Sequence, residues 1–295
     1  MKKYLLLTFC ISCSSMITPI DSFEDSQDLG VIENIGQIPE ASGIVASYRN
    51  KGYLWTHNDS GDRNRIFLLD ANGKGTREFN LEGATNRDWE AISMAQFPEG
   101  SYIYVGEIGD NNAVHAESAI YRVPEPDITA TTAQYVTLKN VQKISFKYPD
   151  GPRDAECFLI DQVSKDIFII SKRENSKRLY KLSYPQSYTQ TSTAEFIQEL
   201  SFSTNPGTPS YITDGNVSVD NKEIIIKNYL QIFHWRRNAN ETIPEVLKRT
   251  PTILPYMAEP QGEGVCFSQS NTGYYTISET GPSFVPVKLY FYKRK

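Results

Sequence analysis

Five short stretches of this chain share one pattern: an acidic or polar residue, a second polar residue two positions on, and then a small hydrophobic strand. They are Glu40-Ala41-Ser42-Gly43-Ile44, Asp88-Trp89-Glu90-Ala91-Ile92, Asp154-Ala155-Glu156-Cys157-Phe158, Asp214-Gly215-Asn216-Val217-Ser218 and Gln261-Gly262-Glu263-Gly264-Val265. Two of them carry a longer signature, Arg87-Asp88-Trp89-Glu90 and Arg153-Asp154-Ala155-Glu156. A unit repeated every ~45–65 residues cannot bury its apolar face alone, and blades stacked around one axis solve that problem. The expectation is an all-β fold, a single β-propeller with its shared polar residues gathered at the axis.

Each repeat resolves into strand-like runs. The first has Ser42–Ser47, Gly52–His57, Arg65–Asp70 and Thr76–Leu81; the second has Glu90–Ala95, Tyr102–Glu107, Ala119–Val123 and Tyr135–Phe146. The third has Glu156–Asp161, Asp166–Ser171, Arg178–Leu182 and Ala194–Phe202; the fourth has Asn216–Asp220, Glu223–Asn228, Gln231–Trp235 and Glu245–Ile253. The fifth, Glu263–Ser268, Tyr274–Ser278 and Lys288–Tyr292, is one strand short. Leu29–Ile38 precedes the first repeat and is expected to supply that missing outer strand, closing a ring of five four-stranded blades. Six blades is the alternative, because the spacings of 66 and 60 residues after Asp88 and Asp154 have room for further strands.

Composition agrees with a strand-built domain. The 18 Tyr, 14 Phe and 3 Trp, with β-branched residues in the apolar runs, suit half-buried strands, and no window of helical length sustains an i, i+3, i+4, i+7 stripe. With 30 basic against 35 acidic residues and no basic run interleaved with aromatics, a nucleic-acid partner is not expected.

The N-terminus reads as an export signal. Met1-Lys2-Lys3 is a charged start, Tyr4 to Ile11 a short apolar core too short to span a bilayer, and Ser12-Cys13-Ser14-Ser15 follows. The pattern resembles a bacterial lipoprotein signal with Cys13 as the lipidated residue, although Cys10 stands where such signals usually carry Leu. An ordinary cleaved signal is the alternative. The expected organisation is a signal over 1–13, a polar tether over 14–28 and the propeller over 29–295, in a monomer whose contact with the membrane runs through its anchor. Cys157 and Cys266, in different repeats, read as buried thiols rather than a disulfide.

Side chains two apart on a strand share a face, so the five repeats would stack two polar tiers around the axis. The outer tier is Glu40, Asp88, Asp154, Asp214 and Gln261; the inner is Ser42, Glu90, Glu156, Asn216 and Glu263. So many carboxylates cannot all stay ionised without compensation. A hard cation with oxygen ligands answers this, and Ca²⁺ tolerates the flexible high coordination a ring offers better than Mg²⁺ does. Zinc lacks ligands, since His57, His115 and His234 are scattered. The alternative is a purely structural ring, in which aspartates cap turns and Arg87 and Arg153 neutralise acids of neighbouring blades.

Loops joining second to third strands open on the same mouth. They include His57 to Arg65, Glu107 to Asn112, Lys172-Arg173-Glu174-Asn175, Asn228-Tyr229 and Glu279-Thr280-Gly281. Asp, Asn and Gly there make tight turns and also present oxygen ligands. Arg63, Arg65, Lys172 and Arg173 are candidates to hold an anionic small molecule beside the metal; each alone also reads as a solvated surface charge. His57 is a conceivable acid or base, and a lone histidine at a strand end reads equally as structural.

With these residues in view, the layout resembles the soluble calcium-activated nucleotidases (apyrases), five-bladed propellers with axial Ca²⁺ and glutamates opening their innermost strands. Glu90, Glu156 and Glu263 match those glutamates, and Asn216 stands where the family's fourth blade is non-acidic. Ser42 departs from the pattern in the first blade, and Asn58-Asp59-Ser60-Gly61-Asp62-Arg63 is similar only in kind to the family's acidic loop. The tier of Glu40, Asp88, Asp154 and Asp214 has no counterpart there. More loosely, the chain resembles phytase-like propellers of bacterial envelopes. The resemblance implies Ca²⁺ as cofactor and hydrolysis of phosphoester or phosphoanhydride bonds. In such a hydrolysis a spare carboxylate of this chain, Asp88 or Asp154, raised in pKa by the crowd of like charges, would take a proton from water, and loop arginines would stabilise the phosphoryl oxygens. The rival class is a non-catalytic propeller binding a protein or glycan, with Tyr211, Tyr229 and Phe284 as contacts. A third is an envelope protein whose acidic ring is a staple.

Overall fold

The computed structural model describes residues 22–202, 210–281 and 285–295. The expected signal with Cys13, and Phe284, lie outside the described residues. The chain enters on β1 (Gln27–Val31) and then builds the first blade from β2 (Ala41–Ala46), β3 (Tyr53–Asn58), β4 (Arg65–Asp70) and β5 (Arg77–Leu81). The second blade uses β6 (Trp89–Phe97), β7 (Gly100–Glu107) and β8 (Ser118–Pro124), after which the chain forms β9 (Tyr135–Leu138) and β10 (Gln142–Lys147). The third contains β11 (Ala155–Ile160), β12 (Ile167–Ser171), β13 (Lys177–Leu182) and, after the two-residue β14 (Ser192–Thr193), β15 (Glu195–Leu200). The fourth is β16 (Ile212–Val217), β17 (Glu223–Asn228), β18 (Ile232–Arg236) and β19 (Thr252–Leu254); the fifth is β20 (Gln261–Phe267), β21 (Gly273–Glu279) and β22 (Lys288–Lys293). The result is a five-bladed β-propeller.

The long spacings that left room for a sixth blade are spent on blade edges. The expected run Tyr135–Phe146 divides: β9 pairs parallel to β5 of the first blade (Glu78 opposite Tyr135, Leu81 opposite Leu138), and β10 forms the outer strand of the second. β14 likewise adds to β10 (Phe146 opposite Ser192). Both additions cover edges that would otherwise offer unpaired backbone groups. In the fourth blade the expected outer run Glu245–Ile253 is corrected. Thr242 caps a one-turn helix, Ile243–Val246, through reciprocal bonds with Glu245, and only Thr252–Leu254 pairs as strand.

Closure follows the expected route, with a shift in boundary. β1 pairs antiparallel with β22 (Gln27 opposite Phe291, Val31 opposite Lys288), so the N-terminal strand completes the last blade. Of the residues assigned to a tether over 14–28, those from 22 onward belong to the domain. Phe23 is buried, bridges to Arg294, and lies with its ring 4.6 Å from the Arg294 guanidinium. Between blades the core is built of strand-alternating aliphatic and aromatic side chains, such as Phe158, Ile169 and Tyr180 against Ala91, Ile108 and Ile120. Cys157 and Cys266 are buried free thiols, both pushed up in pKa by burial.

A buried carboxylate anchors this closure. Glu223 on β17 meets His234 Nε2 at 2.8 Å and accepts from Arg294 at 2.9 Å. Burial alone would raise its pKa; the hydrogen bonds from His234 and Arg294 outweigh that and hold it below the usual glutamate value. A depressed carboxylate contributes stability above its unfolded pKa of ~4.3, and that contribution is lost as pH falls through the lower folded value. Glu223→Gln should therefore cost about 2–4 kcal/mol at pH 7 in urea titrations and flatten the loss of stability below pH ~4.3. An unchanged acid limb would show that this contact does not hold the ring closed.

Candidate metal centre at the propeller axis

Every innermost strand carries a bulge at the same step. The pairing registers slip between Ala41 and Gly43, Trp89 and Ala91, Ala155 and Cys157, Ile212 and Asp214, and Gly262 and Gly264. The extra residues are thus Ser42, Glu90, Glu156, Thr213 and Glu263. A bulge adds a residue to one strand and re-aims its side chain, and here it does so five times around one axis. Packing explains why the following residue is glycine in the first and fifth blades. A Cβ on Gly43 would stand 3.0 Å from the Ile92 nitrogen, and one on Gly264 3.1 Å from that of Ile44. Two of the bulged side chains link neighbouring blades through backbone: Ser42 Oγ donates to the Glu90 carbonyl (3.2 Å) and Thr213 Oγ1 to the Glu263 carbonyl (2.9 Å).

This geometry corrects the fourth repeat. The place expected for Asn216 belongs to Thr213, three residues earlier, because the bulge falls after Ile212. Asn216 lies further along the strand, where its side-chain oxygen accepts from Phe267 N at 3.2 Å. Asp214 leaves the outer tier too. Fully buried, it accepts from Gly215 N (2.7 Å) and Val265 N (2.9 Å) and also bonds the Ile44 backbone, so it ties the fourth, fifth and first blades. In the true register its outer-tier place falls to Tyr211.

At the mouth, one atom each from Asp59, Asp88 and Glu90 lies within 4.8 Å of the others, and so does one each from Glu90, Asp154 and Glu156. Glu90 is common to both groups. Burial, then the charges of Asp59 and Asp88, raise the Glu90 pKa well above its ordinary value, against the pull of Lys172. Burial, then Asp59 and Asp154, push Asp88 up to about 7. Glu279 is pushed up to about 8 by burial, Glu263 and Asp59. Buried oxygens without a hydrogen-bond partner include Glu156 Oε2 and Glu263 Oε2. Gly109 completes the cradle: a Cβ there would lie 2.3 Å from Glu90 Oε1 and 2.5 Å from Asp88 Oδ2.

The expected cations divide. Lys172 Nζ forms an ion pair with Glu156 Oε1, and Arg173 pairs with Asp154 at 2.5 Å and bonds Asn111. Arg65 is instead held by Asp62 and Glu78 at 2.8 Å each, and Arg63 by Glu78 at 3.1 Å, on the outer part of the first blade. Arg153 bonds Asp150, Glu174 and Tyr180 within its own blade rather than a neighbour's acid. His57 is fully buried and pushed down to about 4 by burial, its Nδ1 on the Asn58 carbonyl at 2.9 Å, so it is a neutral packing residue beside Trp89. The outer-tier Glu40 is exposed and bridges by backbone to Glu279, whose carboxylate accepts from Gln261.

Asp59 and Glu279 were not singled out from sequence, although both stand in the loops quoted above. Their signal is positional. Each stands one residue past the strand partner of the residue before its blade's bulge, the place held by Lys172 in the third blade and Tyr229 in the fourth.

No known family model matches the chain, and none of the curated proteins does. Among solved structures, the PQQ-bound aldose sugar dehydrogenase of Streptomyces coelicolor aligns with a TM-score of 0.54 and 8% identity, over 94% of this chain and 100% of that one. A luciferin-regenerating enzyme aligns with a TM-score of 0.50 and 9% identity, over 87% of this chain and 92% of that one. At such identities the likeness is one of fold. The fold and site together define a five-bladed β-propeller with a buried acidic cluster on its axis, able to hold a metal ion.

The Thr213 hydroxyl tests the register directly. Thr213→Val leaves the Glu263 carbonyl short of a buried donor and should cost about 1–3 kcal/mol in urea unfolding. A change within ~0.5 kcal/mol, as at an ordinary surface site, would contradict its place in the ring.

Proposed function

We propose that the axial cluster binds a hard divalent cation of the Ca²⁺ type and serves the hydrolysis of phosphoester or phosphoanhydride substrates. The observation carrying the reading is Glu90: its carboxylate is common to two acidic groups, one of them fully buried, in which Glu156 keeps an oxygen without a partner. Oxygen-only ligands of flexible geometry suit Ca²⁺. Glu90, Asp154 and Glu156 would hold the ion, with Glu263 beside them. This set differs from the sequence expectation by taking in Asp154 and leaving out Asn216 and Ser42, whose hydroxyl donates to the Glu90 carbonyl. The substrate class is supported by the resemblance to calcium-activated nucleotidases, whose glutamates opening the innermost strands are matched by Glu90, Glu156 and Glu263.

A bound divalent cation would polarise a phosphoryl oxygen and acidify a water. The chain's own groups would do the rest. Asp88, half-buried and paired with Asp59 at the open side of the cluster, accepts the water's proton. Lys172 and Arg173, on the neighbouring blade, offer positive charge to the phosphoryl oxygens.

A second reading, a non-catalytic propeller that binds a protein or glycan, is favoured by the Lys172–Glu156 pair. Its side chains are only 10% and 5% exposed, and it already supplies the ring with a cation. Half-buried Tyr211 and Tyr229 flank the same mouth. Calorimetric titration separates the two. Ca²⁺ should bind saturably, the Glu90→Gln, Glu156→Gln double variant should lose at least 100-fold in affinity, and phosphate release from nucleotides or phosphoesters should require Ca²⁺. Binding without release from any such substrate would favour the second reading, and no binding to a folded protein would end the first.

Export to a bacterial cell envelope with a lipid on Cys13 belongs to the same proposal, supported by the charged and apolar start of the chain. Mass spectrometry of the mature protein should find an acylated N-terminus at Cys13; an unmodified Met1 would refute it.

A further inference from the structure

We propose that Lys172 is a resident counter-ion that a divalent cation displaces from the axial carboxylates, and that the displaced ammonium then binds a phosphate-type anion at the mouth. The inference rests on the reading of the axis as a cation site, and adds what fills that site beforehand and what the exchange releases.

Lys172 stands at a position where the other four blades place Asp59, Ile108, Tyr229 and Glu279. Among these five equivalent residues it is the one base. Its ammonium pairs with Glu156 Oε1, inside the group of Glu90, Asp154 and Glu156 whose ligand atoms lie within 4.8 Å of one another. A second lysine, Lys227, also lies near Glu263, but it is tied. Its Nζ donates to the Asn228 carbonyl (3.0 Å) and to that of Gly262, and lies 4.5 Å from the Tyr256 ring centre. Among the described residues the Lys172 ammonium has no such backbone acceptor; carboxylate charge holds it.

A single positive charge compensates such a ring poorly, and the orphaned Glu156 Oε2 shows where it falls short. A divalent ion on the same oxygens brings twice the charge and can engage the oxygen the ammonium leaves bare. Both cannot occupy a group this compact, because two cations a few ångströms apart repel each other as strongly as the carboxylates do.

The direction of displacement is set by packing. Inward there is no free space at Asp214, which is fully buried and bonded to the backbone of Gly215, Val265 and Ile44. Outward, the Lys172 ammonium already lies 5.9 Å from the Tyr229 ring centre, and the adjacent Arg173 is 40% exposed. Moving that way on its four-carbon stem, the ammonium joins the Arg173 guanidinium at the mouth. Two cationic groups beside an oxygen-ligated metal form a site for a phosphate-type anion.

The test uses the full-length protein, with Ca²⁺ and inorganic phosphate as probes in calorimetry. Lys172→Gln should bind Ca²⁺ at least tenfold more tightly than wild type, and at saturating Ca²⁺ should bind phosphate at least fivefold more weakly. Equal or weaker Ca²⁺ affinity in the variant, with wild-type binding intact, overturns the displacement alone. Unchanged phosphate affinity at saturating Ca²⁺ overturns the role in anion binding. No Ca²⁺ binding by the folded wild type overturns this inference together with the reading beneath it. A measurement on the wild type guards against a variant that does not fold: acetylation of Lys172 by an amine reagent, followed by peptide mass spectrometry, should accelerate at least threefold when Ca²⁺ is added. An unchanged rate contradicts the exchange.

Discussion

Five strands that meet on one axis run out of room, and most of what distinguishes this molecule follows from that crowding. Side chains larger than a few atoms cannot stand where Gly43 and Gly264 face the backbone of the next blade, at 3.0 and 3.1 Å from the would-be Cβ. Glycine admits the close approach at these two points, and the bulge in each blade turns one further side chain out of the ladder. At those positions the chain places serine, threonine and three glutamates. Hydroxyls bond across to the next blade's carbonyl, while glutamates gather charge that the ring must then balance. The crowding that closes the propeller is thus also what builds its acidic centre.

The balance is electrostatic. Two ionised carboxylates 4.8 Å apart repel by about 3–4 kcal/mol at an effective dielectric near 20. A few such pairs would consume the ~5–15 kcal/mol by which a folded domain exceeds its unfolded chain. Protons and positive groups resolve this. Asp88 and Glu279 are raised toward neutrality or above it, and Lys172, Arg173 and Lys227 supply charge from the third and fourth blades. Lys227 is itself pushed down to about 8 by burial, so even the compensating base is held at a cost. A metal ion would relieve the same stress in one step.

The repeat was legible because a propeller blade writes its innermost strand in a recognisable form, and Glu90, Glu156, Glu263 and Ser42 were placed by it. The fourth blade was misread because Asp214-Gly215-Asn216 imitates the motif three residues late. Polarity alone cannot distinguish Thr213, which bulges, from Asn216, which lies further along the strand. Strand number was readable from turns and apolar runs, but partnership was not: Tyr135–Leu138 is a strand in either reading, and its parallel pairing with the first blade is a long-range event. Arg63 and Arg65 illustrate the same limit. Their loop opens toward the mouth, yet Glu78, an acidic partner on the outer strand, claims both. Asp59 and Glu279 emerge only when the blades are superposed through the bulge.

The most direct examination of this centre is anomalous diffraction from crystals grown with and without Ca²⁺. A peak on the axis within ~2.3–2.6 Å of Glu90 and Glu156 oxygens, with the Lys172 ammonium turned out toward Tyr229, is the predicted result. An axis without a peak at saturating Ca²⁺, and Lys172 still paired with Glu156, would mean that the ring is balanced by its own lysine and is no metal site.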